Sequence, residues 1–128
     1  MRITHEQYEY FKERVAFWIK ELQCGHLSWS TTLKTEAQED SGQTSLACTN
    51  FNVVSRWAKI YLFEDWEDYP INLETLNSTA FHEVCEAGLL ADVRIHAEDR
   101  EFNQEQFDIE IHRVVRILEK VLAKEGIV

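Results

Sequence analysis

The chain has 128 residues, 45% of them hydrophobic, which suits one compact domain around a single core. Acidic residues outnumber basic ones 23 to 13, a formal charge of −10, so the surface repels nucleic-acid phosphates and anionic lipid and argues against both as partners. No run of about 18 apolar residues is present to span a membrane. The charged opening MRITHEQYEYFKERVAFWIKEL lacks the apolar centre of a signal peptide, and a cytoplasmic location is expected.

In chain order, the first expected element is a helix over residues 4–23. Thr4 and Gln7 form a potential capping box, and Phe11, Val15, Trp18 and Leu22 recur at helical spacing. Gly25 is its expected stop. From His26 to Trp66 the segments HLSWSTTLKT, SLACTNFNV and SRWAKIYLF are rich in β-branched and aromatic residues, so three strands are expected. Alternation puts Ala58, Ile60 and Leu62 on one face and Trp57, Lys59 and Tyr61 on the other. The polar EAQEDSGQT joins the first strand to the second, giving a small, mostly antiparallel, three-stranded sheet. The tryptophans Trp18, Trp29, Trp57 and Trp66 read as core and sheet packing.

Pro70 closes that region. A long helix is expected from Asn72 to about Ala97, with a break near Asp99 to Asn103. A last helix runs from Gln104 to Lys124 with Phe107, Ile111, Val114, Leu118 and Val121 on its inner stripe. Helix, sheet, helix, helix makes an α+β domain. Three widely spaced cysteines, Cys24, Cys48 and Cys85, include no C-x-x-C pair and argue against a disulfide scaffold or cysteine-rich zinc finger. Cys85 reads as a small buried filler.

The informative stretch is TAFHEVCEAGLL, residues 79–90. Zinc hydrolases carry H-E-x-x-H on a helix, but here the fifth position is Glu86. The neighbours Phe81, Val84, Cys85, Ala87, Leu89, Leu90 and Ala91 are apolar nearly all round, so the helix is expected to be buried. A buried histidine and two buried carboxylates are costly unless paired or bound to a cation. His82 and Glu86 are one turn apart and can share an ion. Glu83 points about 100° round the helix, where a general base belongs.

The last helix holds the compensating imidazole, His112, so two histidines and one carboxylate remain available. Glu110 lies nearer the centre of the apolar stripe and is the alternative third ligand. His112 shares a face with Asp108, Arg116 and Glu119, and we take it because one histidine with two glutamates binds zinc less readily. Glu119 or Asp108 can orient its ring. Other histidines fit less well. His96 reads as a surface or capping residue, and His5 and His26 lie outside any metal spacing. Leu89 and Asp92 rule out the extended H-E-x-x-H-x-x-G-x-x-H form. There is no glycine-rich phosphate loop and no G-x-S-x-G.

On FKERVAFWIKEL, RWAKIYLFEDW, FHEVCEAGLL and HRVVRILEKVL, the chain resembles the smallest gluzincin-type zinc metallopeptidase domains. It is more closely similar to a group of small phage-encoded metallopeptidase-like proteins. The resemblance implies a zincin-like fold, zinc held by His82, Glu86 and His112, and Glu83 as the base. Glu86 in place of histidine departs from the family pattern, and its negative charge makes the metal a weaker Lewis acid. The implied substrate is an extended peptide, added to an edge strand for which RWAKIYLF is the candidate. Arg116 is the candidate to meet the oxyanion. The alternative is a catalytically silent interaction protein of zincin shape, binding a host protein in the host cytoplasm.

Overall fold

A computed structural model describes residues 2–35, 46–52, 54–91 and 104–124; the side chains of Gln106, Glu110, Val121 and Lys124 lie outside the description. Helix α1, His5–Glu21, starts at Thr4. Its hydroxyl accepts the Gln7 amide at 3.2 Å, and Gln7 Oε1 accepts the Thr4 amide at 2.8 Å. This box satisfies two amides that a helix start leaves unpaired. Phe11, Val15 and Trp18 form its buried face.

The chain leaves α1 before the expected glycine. Gln23, not Gly25, takes the left-handed conformation, with φ 56°. The Gln23 amide reaches Lys20 O at 3.2 Å and the Cys24 amide reaches Ile19 O at 2.8 Å. Those two bonds make a Schellman stop, with glutamine where glycine is usual.

Three strands follow: β1, Ser28–Lys34; β2, Ala47–Asn52; and β3, Trp57–Phe63. Their spatial order is β1-β3-β2. β3 pairs parallel with β1, from Ser28 opposite Trp57 to Lys34 opposite Phe63, and antiparallel with β2, from Ala47 opposite Leu62 to Asn52 opposite Trp57. The sheet is therefore mixed, with one pairing of each kind, because β3 inserts between its two predecessors. Ala58, Ile60 and Leu62 are fully buried, while Lys59 is exposed and Trp57 and Tyr61 are half-buried, as strand alternation requires. The central place of β3 also corrects one expectation: RWAKIYLF is not an edge.

Helix α2, Leu73–Val84, opens on a second reciprocal cap, between Asn72 and Thr75, at 2.9 and 3.0 Å. It packs on α1 through Leu76, Ala80, Phe81 and Val84, all fully buried, with the Phe81 ring edge-on to Trp18 at 4.8 Å. The expected helix from 72 to 97 is not continuous α-helix. Residues Cys85–Leu89 wind as a π-helical turn, closed by the Leu90 amide on Cys85 O at 3.1 Å. Asp92, His96, and the break expected near Asp99 to Asn103, lie outside the described residues.

Helix α3 is Gln104–Lys124. Ile111 and Val115 are buried in it, and Phe107, Leu118 and Leu122 pack half-buried beside them. Val114, expected inside, is 42% exposed. Steps of four, four, three and four from Phe107 to Leu122 follow the 3.6-residue period, and Val114 falls to one side of that line. The order helix, sheet, helix, helix gives the α+β architecture. Among the described residues, no helix is long and apolar enough to cross a membrane.

Candidate metal centre

The centre lies where α2 and the π turn meet α3. His82 is near the end of α2 and Glu86 is in the π turn; His112 and Glu119 come from α3. Glu86 Oε1 is 2.7 Å from His112 Nε2 and 3.5 Å from His82 Nε2. The two imidazole centroids are 5.5 Å apart, with their planes tilted by 43°. One donor atom from each of His82, Glu86 and His112 lies within 4.8 Å of the other two, so the group can hold a metal ion. All three are half-buried. The Glu110 side chain is outside the description, and the third donor that the structure brings to the pair is His112.

The outer nitrogens decide what the inner ones can do. His112 Nδ1 is 2.8 Å from the Asp108 carbonyl oxygen, which only accepts, so Nδ1 carries the proton. His82 Nδ1 is 2.9 Å from Glu119 Oε1, and a carboxylate oxygen likewise accepts. In the neutral rings both Nε2 lone pairs then face Glu86 Oε1. Lone pairs on two nitrogens and a carboxylate oxygen repel unless a positive charge stands among them. That charge is a proton on a ring or a cation. Donors about 2 Å from a tetrahedral zinc sit roughly 3.3 Å from one another. The Glu86 oxygen stands 2.7 and 3.5 Å from the two nitrogens, so a small outward shift of His112 would let the three residues hold a metal ion.

His82 shows the proton solution. Burial works against its charged form, but hydrogen bonds to Glu119 and Glu86, with the charges of Glu86 and Glu83, hold its pKa up at about 10. A metal ion at this point competes with that proton.

Glu83, the residue after His82, meets the sheet while staying within the electrostatic reach of Glu86, His82 and Glu119. It is 4% exposed, and its Oε2 accepts the Thr49 hydroxyl of β2 at 2.5 Å. Burial, then the charge of Glu86, pushes its pKa up to about 7, against the opposing pull of the Thr49 hydrogen bond and the His82 charge. A buried carboxylate poised near neutrality, one residue from a metal-ligand candidate, is the kind of group that exchanges protons with a reacting species.

The other sequence candidates are not among the donors that come together here. His5 is an exposed residue of α1, 3.8 Å from Glu9, and His26 is exposed. Arg116 is exposed on α3. Cys85 is fully buried, its thiol pushed up to about 12 by burial, as fits a filler. Sequence reasoning missed two contributors, Thr49 and the π turn. A threonine on the core-facing side of an edge strand was the only signal for the first. The second had a weaker one, the glycine within the apolar AGLL. No family model matches the chain, and neither the curated proteins nor the solved structures give a significant match.

Proposed function

We propose that the protein is a zinc-dependent hydrolase of metallopeptidase type, with His82, Glu86 and His112 as metal ligands and Glu83 as general base. The observation that carries this reading is the convergence of two imidazole Nε2 atoms and one carboxylate oxygen between two helices, each ring anchored through its Nδ1. Two histidines and a glutamate are a donor set that hydrolytic zinc uses. When bound, such a cation supplies Lewis acidity, bringing the pKa of a water ligand near 7 and polarising a carbonyl.

The chain's own residues supply the rest. Glu119 and the Asp108 carbonyl hold the two rings in register and fix their tautomers. Thr49 holds Glu83 Oε2, and in this reading Oε1 is the atom that accepts a proton and returns it. The substrate in this reading is an extended peptide, and strand addition falls to β2 because β3 is interior. The Phe63 amide bonds Leu46 O at 3.0 Å, and pairing alternates from there, so Ala47, Thr49 and Phe51 turn their backbone groups away from β3, to the side where no strand pairs among the described residues. Thr49 thus offers its backbone to a peptide and its hydroxyl to Glu83. At the opposite edge, the Tyr8 hydroxyl already donates to Thr31 O on β1 at 3.0 Å.

The contacts between these elements also favour a second reading. His82–Glu119 and His112–Glu86 tie α2 and the π turn to α3 whether or not any reaction occurs. In that reading the cluster is architectural, and the acidic surface meets a partner protein. Glu83→Gln separates the two. A hydrolase variant retains its zinc and loses about a hundredfold or more in turnover of a fluorogenic peptide library. Wild-type protein that is folded, zinc-loaded and inert toward the library leaves only the second reading.

A further inference from the structure

Gly88 lies in the same π turn as Glu86. In a segment that otherwise favours helix, alanine would be the better residue by about 1 kcal/mol. The surroundings explain the glycine. A Cβ at position 88 would land on Cys24 Sγ and stand 2.8 Å from Cys24 Cβ, with Trp29 Cζ2 at 3.4 Å. No side chain fits so close an approach.

Cys24 is not free to yield. Its amide is held by Ile19 O at 2.8 Å, its carbonyl accepts the Trp29 indole at 2.8 Å, and its side chain is 1% exposed. It is the last residue of the Schellman stop of α1, and Trp29 belongs to β1. The corner formed by α1 and β1 is thus a fixed abutment. Against it, the Leu90 amide bonds Cys85 O, where a regular α-helix would have it bond Glu86 O.

We propose that the Gly88–Cys24 contact is a positioning device for Glu86: it seats the π turn on the α1–β1 corner and so sets where the carboxylate stands between His82 and His112. The inference rests on the reading of the cluster as a metal site. Ligands work only when held within about 0.5 Å of their productive places. A methyl group on residue 88 lifts the turn off Cys24 and carries Glu86, two residues away in the same turn, with it.

The test is calorimetric titration with zinc, and the visible spectrum with cobalt(II), on four proteins: wild type, Gly88→Ala, Cys24→Gly and the double variant. Gly88→Ala should lose about tenfold or more in affinity and show an altered cobalt spectrum. Cys24→Gly should lose stability to denaturant through its cavity, and should lose affinity by less than Gly88→Ala, because the turn loses its seat without being pushed off it. The double variant should recover affinity and spectrum, because the new methyl group enters the space the cysteine side chain has left. A merely structural glycine would make affinity follow stability across the four. Folded Gly88→Ala with unchanged affinity and spectrum overturns the proposal. Should Gly88→Ala not fold, the double variant decides: native fold with wild-type affinity supports the proposal, while weak binding or failure to fold overturns it. Folded wild-type protein that binds neither ion removes the metal reading and this inference together, a result distinct from normal wild-type binding with an indifferent Gly88→Ala.

Discussion

Helix α2 and the π turn after it carry two polar assemblies, one around the buried Asn77 and one around the half-buried His82 and Glu86, and they differ in how the protein satisfies them. Asn77 faces α1. Its Oδ1 accepts Arg14 Nε at 2.6 Å and the Trp18 indole at 3.0 Å. A carbonyl oxygen has two lone pairs, and both are used. Nothing in that arrangement calls for a ligand. At the other assembly both imidazoles donate outward through Nδ1, and their inner nitrogens meet a carboxylate oxygen. There the protein gathers acceptors and leaves the positive charge to a proton or a metal. A buried polar group alone therefore does not mark a site. An excess of converging lone pairs does.

The comparison can be broken at either assembly. The largest effect belongs to Glu86→Ala. Apparent zinc-binding energies of about 10–16 kcal/mol over four ligands put each ligand near 3 kcal/mol, so affinity should fall about a hundred- to a thousandfold by titration. Next is Glu83→Gln in metal-free protein. The folded pKa of Glu83 is raised from 4.5 to about 7, so the folded protein holds that proton more tightly than the unfolded chain. Stability therefore falls as pH rises between those values, by up to ~3 kcal/mol. Glutamine should abolish this loss, and urea denaturation at pH 5 and pH 8 reads the difference.

Asn77→Ala sharpens the contrast from the other side. It strands the Trp18 indole and the Arg14 guanidinium, and should cost about 2 kcal/mol of stability with zinc affinity unchanged. The smallest effect is expected for Glu119→Gln, which keeps an oxygen acceptor for His82 Nδ1 but removes its charge. It should weaken zinc binding about tenfold and leave stoichiometry intact. Equal losses of metal affinity in Asn77→Ala and Glu119→Gln would erase the distinction between the two assemblies.

Much of this was legible in the chain, wherever local chemistry decides. Thr4 and Gln7 announce a capping box and make one, and alternation in WAKIYLF sorts its residues onto the two faces observed. His82, Glu86 and His112 were legible as a donor set because an i, i+4 pair faces one way on any helix, and the next amphipathic helix had to pack near it. Long-range choices left no such mark. Strand order is settled by how the sheet meets the helices, so the parallel β1–β3 pairing was hidden. The α1 stop at Gln23 went unseen because a Schellman stop is set by backbone bonds that glutamine tolerates but does not advertise. The π turn was missed for a related reason: Gly88 lies close against Cys24, a contact between distant parts of the chain, and the glycine alone hinted at it. Thr49 meets Glu83 only because β2 lies under α2.

The most direct measurement is the zinc content of protein purified without chelator or affinity metal. About one ion per chain is expected in wild type and His96→Ala, and a sharp drop in His82→Ala and His112→Ala. Undiminished zinc in His112→Ala with loss in Glu110→Ala would give the third position to Glu110. A folded wild-type chain with no zinc, and none taken up on titration, would rule out a metal centre between α2 and α3.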